Sequence, residues 1–250
     1  MGIHPVIETQ ALTKRYLHQL AVDRLTFTVG EGEIFGFLGP NGAGKTTTIL
    51  MLMGLTEPTS GKARVLGFDP SREPIQVKSK IGYLQENMGF YPDLNARQML
   101  CFIAELNALS GSLVEERIAG ALETVGLIGE ADKKIGAYSR GMRQRLGIAE
   151  LLIKDSKVAF LDEPTLGLDP DATNRMIDLI QSLSRDRKMT ILISSHMLHQ
   201  IQKICHRVGI MIKGKLVAQG SLDLLAQEKF GIGSEKYSLE EIYMKYFQEA

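Results

Sequence analysis

The chain has no tryptophan, only two cysteines and no surplus of either charge, since 29 basic residues balance 29 acidic ones over 250 positions. Each scarcity removes a class of protein. Cys101 and Cys205 cannot build a disulfide framework or a cysteine-rich metal site, and both read as reduced thiols of a cytosolic protein. Zero net charge leaves no global field to draw in nucleic acid or anionic lipid; Arg140, Arg143 and Arg145 form only a local basic patch, and nucleic acid is not an expected partner. No apolar run is long enough to cross a bilayer, so a pore would have to come from another chain. The start, Met1-Gly2-Ile3-His4-Pro5-Val6, lacks the basic segment and apolar core of a signal peptide, and Val6 does not fit a myristoylation motif. Repeats and low-complexity tracts are also missing. What is present, 44% hydrophobic residues at this length, is enough to bury one large core with subdomains and no covalent staples.

The run Gly39-Pro40-Asn41-Gly42-Ala43-Gly44-Lys45-Thr46 is a complete Gly-x-x-x-x-Gly-Lys-Thr phosphate loop. Its surroundings suit the motif. Ile34 to Leu38 reads as a buried strand, and Thr46 to Met53 reads as a helix closed by Gly54. Glycines let successive N–H groups and the helix start face a polyphosphate. Lys45 supplies a point charge to the β- and γ-phosphates, and the Thr46 hydroxyl can ligate Mg²⁺. The competing explanation, a glycine-rich turn with a chance lysine, does not account for the strand and helix on either side.

Lys157-Val158-Ala159-Phe160-Leu161-Asp162-Glu163-Pro164 is an apolar run ending in adjacent carboxylates, a buried strand delivering acids at its C-terminal end. Side chains alternate along a strand, so the two acids point differently and suit two roles: Asp162 for the Mg²⁺ shell and Glu163 for polarising the attacking water. The plain alternative is a strand ending in a solvated acidic turn. Upstream, Tyr138-Ser139-Arg140-Gly141-Met142-Arg143-Gln144-Arg145 precedes apolar positions at helical spacing, with Ser139 as N-cap. Taken alone it is an ordinary capped basic helix; placed directly before the acidic strand it reads as a second anion site. Two half-sites in one chain imply a head-to-tail pair of chains.

In this order the motifs resemble the nucleotide-binding subunit of ATP-binding cassette (ABC) transporters, over nearly all of residues 6–220. The resemblance implies ATP and Mg²⁺ as ligands, and assigns the phosphate loop to Gly39, Pro40, Asn41, Gly42, Ala43, Gly44, Lys45, Thr46 and Thr47. It places adenine stacking on Tyr16, where the residue alone is equally a half-exposed strand aromatic. It gives a strand-end glutamine touching metal and water as Gln85, and the family signature as Tyr138 to Met142, with Ser139 and Gly141 facing the γ-phosphate. The acid pair becomes Asp162 and Glu163, the interface loop Leu166-Gly167-Leu168-Asp169, and the switch histidine His196. Lys45, Gln85, Glu163 and His196 are then the catalytic set, with Thr46, Gln85 and Asp162 at the metal. Asp169-Pro170 also reads as an N-cap followed by a first-turn proline. His4, His18, His199 and His206 receive no role.

The signature departs from the family at Tyr138, Arg140 and Met142, keeping its serine and one glycine; Arg140 adds charge where a γ-phosphate would sit. This form is similar to the subfamily serving drug, polysaccharide, sodium and haem-related exporters. Leu166 stands where a small polar residue is usual. The expected fold is an α/β phosphate-loop core with an antiparallel β subdomain and an inserted helical subdomain at about 88–150, within a domain over 1–220. Apolar periodicity at Met99, Leu100, Ile103, Leu106, Leu109, Leu113, Ile118, Leu122 and Val125 marks that insertion. Met88-Gly89-Phe90-Tyr91-Pro92 reads either as part of a groove for the permease or as an internal plug.

A turn at Lys213-Gly214-Lys215 precedes a short strand at Leu216 to Ala218. A helical extension, 221–250, carries a flexible joint at Gly231 to Ser234 and a Ser238-to-Glu241 capping box. The expected partners are an integral membrane permease and a second copy in a head-to-tail dimer, on the inner face of the cell membrane, with export favoured. ABC ATPases acting on ribosomes or chromosomes are the alternative, but the two-cassette chain with a charged linker and the long coiled coil of those classes are both missing.

Overall fold

A computed structural model describes residues 5–109, 111, 113–231 and 237–249. Strands β1 (Pro5–Tyr16) and β2 (Gln19–Gly30) pair antiparallel through a tight turn and bury one side of each strand, with Ile7, Leu12, Phe27 and Val29 inward. Strand β3 (Ile34–Leu38) has all five residues buried, as a strand covered on both faces requires. It leads into helix α1 (Lys45–Leu52), and β4 (Ser60–Val65) then returns to pair with β1 and complete a three-stranded antiparallel sheet.

The short helix α2 (Pro74–Lys78) leads to β5 (Ile81–Leu84) and then to a helical stretch. That stretch contains α3 (Ala96–Leu106), α4 (Leu113–Thr124) and, after two 3-10 turns, α5 (Arg140–Ile153). Alternating strands and helices follow: β6 (Val158–Asp162), α6 (Pro170–Arg187), β7 (Thr190–Ser195), α7 (Leu198–Ile204), β8 (Arg207–Ile212) and β9 (Lys215–Gly220). Helices α8 (Leu222–Phe230) and α9 (Leu239–Glu249) end the described chain. The larger sheet has the order β5-β6-β7-β3-β8-β9, parallel except for β9 at its edge.

Register decides where the chemistry falls. Leu38 lies level with Ser195 and Ile210, and Asp162 level with Ser194. The C-terminal ends of β3, β6 and β7 therefore deliver the phosphate loop, the acid pair and His196 to one edge, where open parallel sheets hold ligands. Phe27, Phe35 and Phe37 join the two sheets, the Phe27 and Phe37 rings meeting edge-on at 4.9 Å. On the other face, helices α3 to α7 and α9 share one apolar cluster with the sheet, including Leu100, Leu122, Leu146, Ile193 and Ile242.

Local capping chemistry sets most helix starts. Asn95 and Gln98 form a reciprocal capping box on α3, and Asp169 with Pro170 opens α6. Ser238 and Glu241 bond reciprocally at the start of α9. The expected joint at Gly231 to Ser234 lies outside the described residues beyond Gly231, which caps α8 at φ 73°. Leu106 and Leu113, expected on the apolar face of the helical stretch, are solvent-exposed, because the packing of α3 and α4 against α5 uses Met99, Leu100, Ala104, Ile118 and Leu122.

Glu150 of α5 is partly buried beside Lys154, whose ammonium donates to the carbonyls of Lys78 and Ile81 at 3.3 and 3.0 Å. Burial pushes the Glu150 carboxyl up to about 7, and Lys154 only partly opposes this. A carboxyl raised in the folded state is neutral at low pH in both states and opposes folding once it must ionise. Its cost, on the order of 2–3 kcal/mol, develops between the unfolded value and about pH 7 and is complete above it. Glu150→Gln is expected to raise the melting temperature by several degrees at pH 8 and to leave it nearly unchanged at pH 4, below the unfolded value, measured by calorimetry. Equal shifts at both pH values would remove ionisation as the cause.

Candidate functional site

The phosphate loop folds around close backbone approaches that only glycine permits. A Cβ on Gly39 would lie 2.3 Å from the Met211 carbonyl, and one on Gly44, at φ 103°, would lie 2.5 Å from the Ala21 carbonyl. Asn41 to Thr47 line a cleft of about 300 Å³ shared with Tyr16, Gln19, Glu86, Asp162 and Glu163. Lys45 is buried, and its ammonium donates to the carbonyls of Gly39 and Pro40 at 2.7 and 3.2 Å. Burial lowers its pKa, while the charges of Glu163 and Asp162 work against that.

Asp162 collects hydroxyls from three elements. Thr46 Oγ1 donates to its Oδ2 at 2.9 Å, Tyr83 reaches the same oxygen at 3.5 Å, and Ser194 Oγ donates to Oδ1. Burial, and then the Asp162 charge, push the Tyr83 phenol up to about 12, so it stays a protonated donor. The neighbouring Glu163 faces elsewhere. Its Oε1 lies 2.9 Å from His196 Nδ1, while its Oε2 is buried with no hydrogen-bond partner. An ionised carboxylate only accepts, so Nδ1 carries the proton and Nε2 of the exposed His196 ring remains for another group. A buried acceptor left without a partner beside a phosphate loop is suited to a polarised water.

Gln85 directly follows the end of β5, as a strand-end glutamine does. Strand β5 ends at Leu84, and Gln85 is exposed and outside the residues lining the cleft, whereas Glu86 lines it. The bend is held by Gln144 of α5, whose Nε2 donates to the Glu86 carbonyl at 3.0 Å. Strand alternation past Leu84 would have kept Gln85 on the side of Tyr83; the early end of the strand shifts the cleft-facing position by one residue. Tyr83, Glu86 and Ser194 are residues of the site that the sequence motifs do not single out. Only Tyr83 carried a local signal, two positions upstream of the expected glutamine on an alternating strand.

Tyr16 stands at the end of β1, lines the cleft and is 44% exposed, with the Lys14 ammonium over its ring at 4.8 Å from the centroid. Ser139 and Gly141 do not line that cleft. Ser139 caps α5 by accepting from the Met142 N–H at 3.2 Å, and a Cβ on Gly141 would lie 3.2 Å from that of Ala172 at the start of α6. Tyr138 is buried and donates its hydroxyl to the Glu130 carbonyl at 2.7 Å. The arginine patch is partly engaged, Arg143 on the Tyr138 carbonyl and Arg145 on those of Val125 and Gly126. Asp169 is exposed and accepts from the Ala172 N–H at 2.8 Å. His206, without a role in the sequence, accepts the Ile34 N–H on Nδ1 at 2.9 Å and so ties β8 to the start of β3.

A parallel sheet that ends in a phosphate loop, a hydroxyl-bound aspartate and a paired glutamate defines a phosphate-loop nucleotide-binding protein. A family model described as ABC transporter matches residues 22–166. The bacitracin transport ATP-binding protein BcrA of Bacillus licheniformis is 44% identical over 220 residues, covering 88% of this chain and 71% of that protein. A Nod factor export ATP-binding protein I of Burkholderia pseudomallei is 36% identical over 231 residues, covering 92% of this chain and 75% of its own length. Among solved structures, an ATP binding subunit of an ABC transporter superposes with a TM-score of 0.85 at 28% identity, covering 97% of this chain and 99% of that one. The chain belongs to the ABC transporter family and is one of its ATP-binding, ATP-hydrolysing cassettes.

Proposed function

We propose that this cassette powers export through a separate membrane permease, with two copies closing head to tail over two ATP molecules. The observation that carries the hydrolytic part is the Glu163 carboxylate, fixed by His196 through Oε1 and without a partner at Oε2, beside the loop that holds Lys45. Lys45 and the loop N–H groups bind the β- and γ-phosphates, Tyr16 stacks on adenine, and Glu163 Oε2 takes the proton of the attacking water. His196 orients Glu163 and turns Nε2 toward the γ-phosphate.

The donor set also suits Mg²⁺, which binds through one or two carboxylates, phosphates and water rather than an all-protein cage. Among the described residues no cluster of three or more His, Cys, Asp or Glu forms such a cage. Thr46 and Asp162 would hold the ion, which when bound offsets phosphate charge. Gln85 stays a weaker candidate for the catalytic and metal contacts than Glu86, which lines the cleft. Ser139, Gly141 and Asp169 would serve the opposite copy, in keeping with the exposure of Ser139 and Asp169 and the position of the signature outside this chain's own cleft.

The export direction is supported by relatives named for bacitracin transport and Nod factor export. Among the described residues no helix is long and apolar enough to cross a membrane, which fits a peripheral subunit held on the inner face by its permease. Detergent extraction and purification should recover a stoichiometric integral membrane chain with Mg²⁺-dependent ATPase activity. Recovery of active protein with no membrane partner would sink the transport reading.

The apolar stretch after Glu86 divides between its two explanations. Phe90 packs against the main core cluster, while Tyr91 is 54% exposed and meets Phe102 edge-on at 5.7 Å, with Leu106 exposed on the same helix. Tyr91→Ser with Leu106→Ser is expected to weaken permease association about tenfold or more, without affecting nucleotide binding. Phe90→Ser should instead lower the melting temperature. Co-purification yield and thermal unfolding check both, and unchanged yield in the double variant would place the permease contact elsewhere.

A further inference from the structure

Glu163 adopts φ 49°, a left-handed backbone conformation disfavoured for any residue with a Cβ. Such a conformation persists only where its surroundings over-determine it. On the upstream side the Glu163 N–H donates to the Ser194 carbonyl at 3.0 Å. Downstream, the turn closes on itself through Leu166 N–H to Glu163 O at 3.1 Å and Leu168 N–H to Thr165 O at 3.2 Å, bonds that attach it to nothing outside the turn. Outside the turn, Leu168 packs on the main core cluster, and the outward hydrogen bond comes from a side chain: Thr165 Oγ1 donates to Gln200 Oε1, and both residues are buried.

Gln200 lies on α7, which continues directly from the strand end carrying His196. That helix is itself held on several sides. Ser195 Oγ accepts the Met197 N–H at 3.0 Å, Gln181 of α6 donates to the Lys203 carbonyl at 3.0 Å, and Gln202 accepts the Leu239 N–H of α9 at 3.0 Å. Ile201 and Ile204 are buried in the main core cluster beside α9. Gln200 is therefore a fixed post. The glutamate loop meets the segment from His196 to Gln200 at two side chains, Glu163 on His196 and Thr165 on Gln200. With the Glu163 N–H bond to Ser194, these two side-chain contacts set the direction of the unpartnered Glu163 Oε2.

We propose that Gln200 is a positioning residue for ATP hydrolysis, acting through the Thr165 hydroxyl to hold Glu163 in register with His196. The proposal rests on the hydrolytic role given to Glu163 above. The test uses the full chain, with steady-state ATPase kinetics, fluorescent-nucleotide binding and thermal unfolding on the same preparations. Gln200→Leu and Thr165→Val each remove one partner. Each is expected to lower kcat about ten- to a hundredfold, the order that misplacement of a reacting group by about an ångström costs. KM for ATP and nucleotide affinity should stay within about twofold, since the phosphate loop is untouched.

Thr165→Ser, which keeps the hydroxyl, should retain most of the turnover. The Thr165→Val/Gln200→Leu pair should be no slower than the worse single variant, because the two residues act through one contact. Unchanged kcat in the folded single variants, losses that multiply in the pair, or a loss confined to nucleotide affinity would each overturn the proposal. Should Gln200→Leu not fold, the Thr165→Val and Thr165→Ser comparison decides by itself. No turnover in the unaltered protein would overturn the hydrolytic reading as well, whereas normal turnover in every variant would overturn this inference alone.

Discussion

Replacing Glu163 with glutamine is expected to slow ATP hydrolysis by about two to four orders of magnitude while leaving ATP binding intact. The substitution is nearly isosteric, and its amide oxygen can keep the contact that His196 Nδ1 makes with Oε1 at 2.9 Å. What it removes is the second carboxylate oxygen, buried and without a partner, and with it the group able to take a proton from water. Lys45, the phosphate-loop backbone and Tyr16 are unaltered, so a fluorescent nucleotide should bind as before. Because hydrolysis is what would release the paired copies, the variant should accumulate as an ATP-bound dimer, visible by gel filtration with ATP and lost with ADP. Near-normal turnover in the purified variant would remove Glu163 from the role of base.

A mixture of Ser139→Arg and Lys45→Ala proteins is expected to regain ATPase activity that neither variant has alone. Ser139 caps an exposed helix start outside the cleft that contains Lys45, so the two groups are best placed to meet across a dimer. In a heterodimer the Ser139→Arg chain contributes an intact phosphate loop and the Lys45→Ala chain an intact signature, leaving one composite site whole. The bulky charged side chain should block the γ-phosphate contact without disturbing monomer nucleotide binding, because Ser139 is exposed. Absence of recovery in confirmed heterodimers would mean either hydrolysis within one chain or an obligatory need for both sites. Turnover in the Ser139→Arg homodimer would rule out the signature contact itself.

Much of the nucleotide cleft was legible because its chemistry is local in the chain. The phosphate loop needs glycines, a lysine and a threonine at fixed spacing between a strand and a helix, and the structure has that strand, loop and helix in place. Helix starts at Ser139, Asp169 and Ser238 were legible for the same reason, since a cap and the N–H it accepts lie three residues apart. The surroundings of Gln85, just past the end of β5, were less legible because they rest on a distant contact. Whether β5 continues past Leu84 depends on Gln144, 58 positions away, drawing in the Glu86 carbonyl. Leu106 and Leu113 lie on helices as the periodicity predicts but are exposed, because periodicity marks an apolar face and not how far the neighbouring helix extends along it.

By itself the sequence determined the class of chemistry: a polyphosphate cradle, an adjacent acid pair and a capped basic helix, each set by short-range backbone geometry and residue type. Only the tertiary structure decided which side chains share a site. The parallel register of β3, β6 and β7 sets Asp162 level with Ser194 and brings His196 to Glu163, and the packing of α7 brings Gln200 to Thr165. Tyr83 and Ser194 become partners of Asp162 only because three strands distant in sequence end at one edge. The division has one physical cause: spacing along a chain governs contacts within a turn or a strand, whereas contacts between strands and helices depend on how buried surfaces pack.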